Sequence, residues 1–330
     1  MSENKENIFQ KKDIIILGFE TSCDETSVSV VKNGREILSN VVATQIPIHR
    51  RFGGVVPEVA SRNHVVAISN ITREALLQAG LTFDDVDALA VTYGAGLVGA
   101  LLVGVNYAKS LAYALKKPLV AVNHIEGHIA ANYLTHQDLK PPFVCLLMSG
   151  GHTALLDVFD FCKHNLIGTT IDDAVGECFD KVARVLSLPY PGGPEVDKLA
   201  CGGNENIKFK SHSSLASSFN FSFSGLKTAV INYVHNQTQA GAQISKSDVC
   251  ASFQKTVCDE LVEKTIRACK STGRTSLVIA GGVSANSQIR KQLLSACQKN
   301  NIKCFFPELK LCTDNAAMIA SAAYFMIAQK

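Results

Sequence analysis

Residues 13–40, DIIILGFETSCDETSVSVVKNGREILSN, open with an apolar run and pass through a turn dense in Ser, Thr, Asp and Glu. They continue as alternating apolar residues, a second polar turn and a third apolar stretch. Residues 142–170, PFVCLLMSGGHTALLDVFDFCKHNLIGTT, repeat the pattern. Alternation with period two sends successive side chains to opposite faces, so each segment predicts a three-strand meander. A meander written twice predicts two similar halves.

Working outward, each copy is followed by residues with apolar positions at three- and four-residue spacing, NHVVAISNITREALLQAG (63–80) and AVGECFDKVARVLSL (174–188). That spacing predicts helices, and strands mixed with helices predict a layered α/β architecture. Residues 86–134 read as strand, glycine turn, apolar helix, short strand and a helix carrying two histidines. Residues 275–299 read as strand, Gly-Gly turn and amphipathic helix. The expected organisation is a disordered leader over 1–12, an N-terminal domain over 13–138 and a C-terminal domain over 139–330. Pro141-Pro142 punctuates the linker THQDLKPPF (135–143). A final helix over about 313–329, capped by Thr313 or Asp314, is expected to pack back on the N-terminal domain.

Composition narrows the function classes. With 330 residues, 47% of them hydrophobic and 18% charged, the chain can bury a large core and extensive disorder is excluded. A net charge of +3 with no long basic run permits an RNA partner without requiring one. The eleven cysteines scatter through apolar segments without a C-x-x-C pair, which reads as buried thiols in a reducing compartment. The polar start MSENKENIFQKK lacks the apolar region of a signal peptide, and apolar runs such as SLVIAGGV fall short of the ~18 residues of a membrane span. A cytoplasmic protein without a membrane partner is expected.

Several short stretches could carry chemistry. In NHIEGH (123–128), His124 and His128 stand four residues apart and share a helix face, so they could hold one metal ion, or simply make ordinary helix hydrogen bonds. The zinc-protease pattern H-E-x-x-H needs a glutamate directly after the first histidine; here that residue is Ile125, and Glu126 faces the other way. The turn ETSCDET (20–26) can bind a magnesium-bridged phosphate or orient a nucleophile, or be a plain polar turn. Its partner MSGGHT (148–153) offers Gly150 and Gly151, whose backbone N–H groups can approach a phosphate closely. Asp180, and Asp197 after the rigid PGGP loop, could accept ribose hydroxyls or lie on solvated helix faces. VIAGGVSAN (278–286) presents a helix N-terminus to a nucleotide, yet is not G-x-G-x-x-G, which disfavours a Rossmann site. FNFSFSGLKTAV (219–230) reads as a strand burying its phenylalanines and then a capped helix, with Lys227 a phosphate or RNA contact. His49-Arg50-Arg51 is a solvated loop or touches nucleic-acid phosphate.

Taken in order, GFETSCDETSVSVV, GGVVPEVASRNH, NHIEGH, MSGGHT, DDAVGECFDKVAR, YPGGPEVDKLA, FSFSGLKTAV, VIAGGVSAN and CTDNAAMIA closely resemble the bacterial branch of the TsaD family, the tRNA N6-adenosine threonylcarbamoyltransferases. The likeness runs from about Asp13 to the last residue. It implies an actin-like, Hsp70-like ATPase fold of two duplicated RNase H-like domains. It also implies transfer of a threonylcarbamoyl group from threonylcarbamoyl-AMP to N6 of the adenosine 3′ to the anticodon, in tRNAs that read ANN codons. By the same likeness His124, His128 and Asp314 bind one divalent ion, iron or zinc, between the halves. Leu147, Met148, Ser149, Gly150, Gly151, Asp180, Gly193, Asp197 and Asn286 match substrate-contacting positions, and Asp24 and Glu25 match acidic residues near the reaction centre. The implied partners are tRNA, a TsaB-like paralogue of the same fold and a TsaE-like ATPase. Two other readings are a metallopeptidase of the O-sialoglycoprotein endopeptidase type, suggested by the histidines, and a non-catalytic ATP-binding module of the same fold.

Overall fold

The computed structural model describes residues 11, 13–209, 215 and 217–328. Apart from Lys11, the expected leader over 1–12 lies outside the described residues. Contacts divide the chain into two units, one made of residues up to Lys140 together with those from Pro307 onward, the other of Pro141–Phe306.

In the first unit, strands β1 (Ile15–Glu20), β2 (Glu25–Lys32) and β3 (Glu36–Thr44) form the antiparallel meander, and β4 (Ala88–Gly94) and β5 (Leu119–Asn123) add in parallel beside β1. The strand order is β3-β2-β1-β4-β5. Helices α1 (Pro57–Ala79) and α2 (Val98–Leu115) lie between these strands in sequence, and α3 (His124–Thr135) follows β5. The second unit repeats the order with β6 (Phe143–Met148), β7 (Thr153–Asp160), β8 (Lys163–Thr169), β9 (Ser276–Ala280) and β10 (Lys303–Phe305), arranged β10-β9-β6-β7-β8. Its helices are α4 (Val175–Val185), α5 (Gly192–Ala200), α6 (Ser224–Gln239), α7 (Lys246–Thr272) and α8 (Ser287–Lys299), and α9 (Ala316–Ala328) belongs to the first unit. Both sheets therefore share one topology, with the meander's first strand central.

The central strands β1 and β6 are buried along nearly their whole lengths, so Leu17, Phe19 and Val144, Leu146, Met148 anchor separate cores. Helix α9 covers β1 because it is built of small residues. A Cβ on Gly18 would stand 2.6 Å from the Ala316 carbonyl oxygen, and one on Gly127 of α3 would stand 2.6 Å from Ile319 Cδ1. Glycine on both neighbours thus lets α9 seat closely against sheet and helix.

Three local expectations are corrected. Helix α9 begins at Ala316 with Asn315, not Thr313 or Asp314, as its cap: Asn315 Oδ1 accepts from Met318 N at 3.1 Å. A capping carboxylate would be spent on its own helix, so the shift leaves Asp314 in the preceding turn to face elsewhere. The predicted strand in FNFSF is a single bridge between Thr170 and Phe221, because Asp172 takes the backbone N–H groups of Phe223 and Ser224 and starts α6 there. Finally, the apolar runs are longer than expected: α2 spans 18 residues at a mean hydropathy of 1.3, enough by length and composition to cross a bilayer. Here it packs on β4 and α1, the role of a helix that covers a sheet.

Candidate active site and metal centre

The site in the first unit starts at helix α3. Asn123 caps it, its side-chain oxygen accepting from Ile125 N at 2.9 Å, and the helix therefore begins at His124. One turn later comes His128, and the two rings meet edge to face with centroids 4.5 Å apart. Asp314 Oδ1 lies 3.3 Å from His124 Nε2 and 3.4 Å from His128 Nε2. One donor atom from each of the three residues falls within 4.8 Å of the others. Two imidazoles and one carboxylate converging at that range are the donor set that iron and zinc take. All three residues belong to the first unit. Burial opposes a charge on His124, but the carboxylates of Asp314 and Glu20 outweigh it and hold its pKa well above the usual value.

The turn from Glu20 to Glu25 brings further carboxylates to the same region. Glu25 Oε1 accepts from Thr44 Oγ1 at 2.9 Å, while Oε2 is buried without a hydrogen-bond partner among the described residues. Burial first, with the charges of Asp24 and Asp314 adding to it, pushes the Glu25 carboxyl up to about 8. Burial also raises Asp24, against the hydrogen bond from Cys23 that lowers it. The Cys23 thiol is pushed far above its ordinary range by burial and by Asp24. It is no nucleophile at neutral pH.

In the second unit the expected substrate residues gather at the C-terminal ends of the parallel pair β6 and β9. Leu147 and Met148 are fully buried in β6, so only their backbone can face a ligand. Ser149 turns the chain, its N–H donating to His152 O at 2.8 Å and its hydroxyl accepting from His152 N at 3.0 Å. Gly150 and Gly151 are exposed, and a Cβ on either would meet open space. Gly193 is open in the same way. Neighbouring glycines are needed for packing instead: a Cβ on Gly176 would stand 2.6 Å from Ser149 O, and one on Gly192 2.3 Å from Ala183 Cβ.

The polar side chains there are partly committed. Asp180 Oδ1 accepts from Gly192 N at 2.7 Å and so holds the start of α5. Asp197 accepts from Gln254 Nε2 at 3.0 Å, Ser287 Oγ at 2.9 Å and Ser287 N at 2.9 Å. Asn286 caps α8 through Gln288 N and Ile289 N, and donates to Gln254 Oε1 at 2.9 Å. Gln254, buried in α7, thus joins Asp197 to Asn286. Nothing in the sequence marks it, since its partners come from two other helices. Lys227 is held by Asp173 at 2.9 Å, which also takes Lys181. Of the basic stretch, His49 is buried and bonded to Gln45, whereas Arg50 and Arg51 are exposed.

Comparisons with known proteins bear on the family and the fold. The family described as TsaD, tRNA N6-adenosine threonylcarbamoyltransferase, matches residues 36–321. A tRNA N6-adenosine threonylcarbamoyltransferase of Clostridium novyi (strain NT) is 58% identical over 316 residues, 95% of this chain and 93% of that protein. Among solved structures, T. kodakarensis HypF superposes with a TM-score of 0.62 at 14% identity, over 96% of this chain and 48% of that one. Component A of the Acidaminococcus fermentans (R)-2-hydroxyglutaryl-CoA dehydratase gives a TM-score of 0.54 at 14% identity, over 96% of this chain and 99% of that one. Two sheets of one strand order, with these neighbours, make the fold actin-like, in two duplicated halves.

Proposed function

The chain belongs to the TsaD family of tRNA N6-adenosine threonylcarbamoyltransferases, and from that premise we propose that it takes threonylcarbamoyl-AMP as donor and modifies N6 of the adenosine 3′ to the anticodon in tRNAs reading ANN codons. The observation that carries the reading is the convergence of His124, His128 and Asp314, a donor set that suits one iron or zinc ion. When bound, that ion supplies Lewis acidity to the carbamoyl carbonyl.

The remaining work falls to the chain's own residues. The exposed backbone of Gly150-Gly151 suits the donor's phosphate, with Ser149 fixing the turn from inside. Leu147 and Met148 line the approach with backbone alone, and Asp180, Gly193, Asp197 and Asn286 frame the nucleoside side. Asp24 or Glu25, in its ionised form, takes the proton leaving N6, and burial, which raises the proton affinity of both, strengthens either as a base. Full single-turnover transfer by Glu25→Gln would move that role away from Glu25.

A TsaB-like paralogue and a TsaE-like ATPase complete the working assembly. Exposed apolar side chains on the first unit, Val65 and Val66 of α1 with Val98 and Leu102 of α2, support the need for a protein partner. A tRNA substrate and eleven cysteines, seven of them buried, support a cytoplasmic setting. The deciding experiment is mass spectrometry of tRNA nucleosides after incubation with threonylcarbamoyl-AMP, with and without the two partners. Appearance of threonylcarbamoyladenosine is expected; its absence under every condition would overturn the proposal.

A further inference from the structure

We propose that Glu20 is a positioning residue of the metal centre, holding the His124 ring so that Nε2 faces the ion and supplying the second negative charge that balances a divalent cation. The inference rests on reading His124, His128 and Asp314 as ligands.

Glu20 ends β1 and is 0% exposed. Three donors converge on its carboxylate: Ser22 N on Oε1, Thr92 Oγ1 on Oε2 at 2.6 Å, and His124 Nδ1 on Oε2 at 3.1 Å. Ser22 Oγ also stands 3.2 Å from Nδ1. An ionised carboxylate only accepts, so Nδ1 holds its proton toward Glu20, and Nε2, 3.3 Å from Asp314, is the nitrogen whose lone pair a metal ion would take in place of a proton. The two bonds on Oε2 come from different elements, β4 and α3, so Glu20 fixes the ring's rotation as well as its tautomer.

Charge makes the argument stronger than packing alone. A fully buried carboxylate costs several kcal/mol unless it is compensated. Among the described residues Glu20, Asp24 and Glu25 form no ion pair with a lysine or arginine, and Glu20 reaches only His124. With a divalent ion on Nε2, the charges of Glu20 and Asp314 sum to its opposite. A glutamine could hold the Ser22 turn equally well but could not supply that charge. This separates a metal-positioning role from a merely structural one.

The test uses the full chain, stripped of metal and titrated with Zn²⁺ against a chromophoric chelator; the visible spectrum of the Co²⁺ form is recorded at saturation. Glu20→Gln should bind Zn²⁺ about 10- to 100-fold more weakly and shift the Co²⁺ bands, since loss of a histidine's outer partner typically costs that much. Thr92→Val, which removes one donor to Oε2 but no charge, should weaken Zn²⁺ less. Parental Zn²⁺ affinity and an unchanged Co²⁺ spectrum in Glu20→Gln would overturn the proposal. If Glu20→Gln fails to fold, parental affinity in Thr92→Val does so instead. His124→Ala separates the two levels: parental affinity there would sink the ligand assignment itself, whereas loss there with no change in Glu20→Gln would sink only the role of Glu20.

Discussion

The turn after β1 and the turn after β6 occupy the same place in two sheets of identical order, yet they are built from opposite materials. The first, Glu20 to Glu25, points carboxylates inward, with Glu20 and Glu25 buried and the Glu25 carboxyl pushed up by burial and by the charges of Asp24 and Asp314. The second, Ser149 to His152, points almost nothing inward and exposes two glycines whose missing side chains would have met only open space. One position of a duplicated frame has become an acidic side-chain site and the other a backbone site. The topology fixes where a turn can meet a ligand, and the residue types decide what chemistry is done there.

The largest expected effect tests whether the acidic turn serves a metal. His124→Ala should abolish stoichiometric zinc or iron by elemental analysis and lower single-turnover transfer by at least about 10³-fold, since the several kcal/mol of Lewis-acid stabilisation go with the ion. Retained metal with retained rate would leave the two turns without the proposed division of labour. Next in size is a steric test of how the first unit seats Asp314. Gly18→Ala places a methyl 2.6 Å from the Ala316 carbonyl, and pushing α9 away should cost about 1–3 kcal/mol and weaken Zn²⁺ binding, read by urea unfolding and chelator competition.

A third test uses pH. The folded chain keeps the Glu25 proton up to about 8, whereas the unfolded chain releases it near 4.5, so between these values the unfolded state binds fewer protons and stability falls as pH rises. Glu25→Gln removes that loss. In metal-stripped protein, its stability relative to the parent should grow by roughly 4 kcal/mol between pH 4.5 and pH 8.5, measured by urea unfolding; a constant difference would refute the buried, protonated Glu25. The smallest effect belongs to the glycine turn. Gly151→Ala should leave the unfolding free energy within about 0.5 kcal/mol, as for an exposed substitution, while raising KM for threonylcarbamoyl-AMP about tenfold. A large stability loss would make that glycine a packing residue, like Gly176.

Much of the frame was legible because its cause is local. Period-two alternation in 13–40 and 142–170 dictates the meanders, and the Pro141-Pro142 break stands where the second unit begins. His124 and His128 were legible as a pair since helix geometry alone puts them on one face. Asp314 was not, except through family resemblance, because its approach depends on α9 crossing β1 and α3 over small residues. The orienting role of Glu20 left no trace either: its partners Thr92 and His124 are brought to it only by β4 and α3 packing beside β1. The commitments of Asp197 and Asn286 to Gln254 are equally tertiary. The cap of α9 was misplaced by one or two residues since Thr313, Asp314 and Asn315 are all good caps by type.

The small-residue helix α9 has a consequence in time. His124 and His128 leave the ribosome long before Asp314, and the whole of Pro141–Phe306 is made in the interval. With the ligand set proposed above, the first unit therefore holds during synthesis a two-histidine half-site whose carboxylate arrives only after the second unit has emerged. Tight metal capture is thereby deferred to the end of translation, and a chain that stalls within the second unit cannot complete the centre.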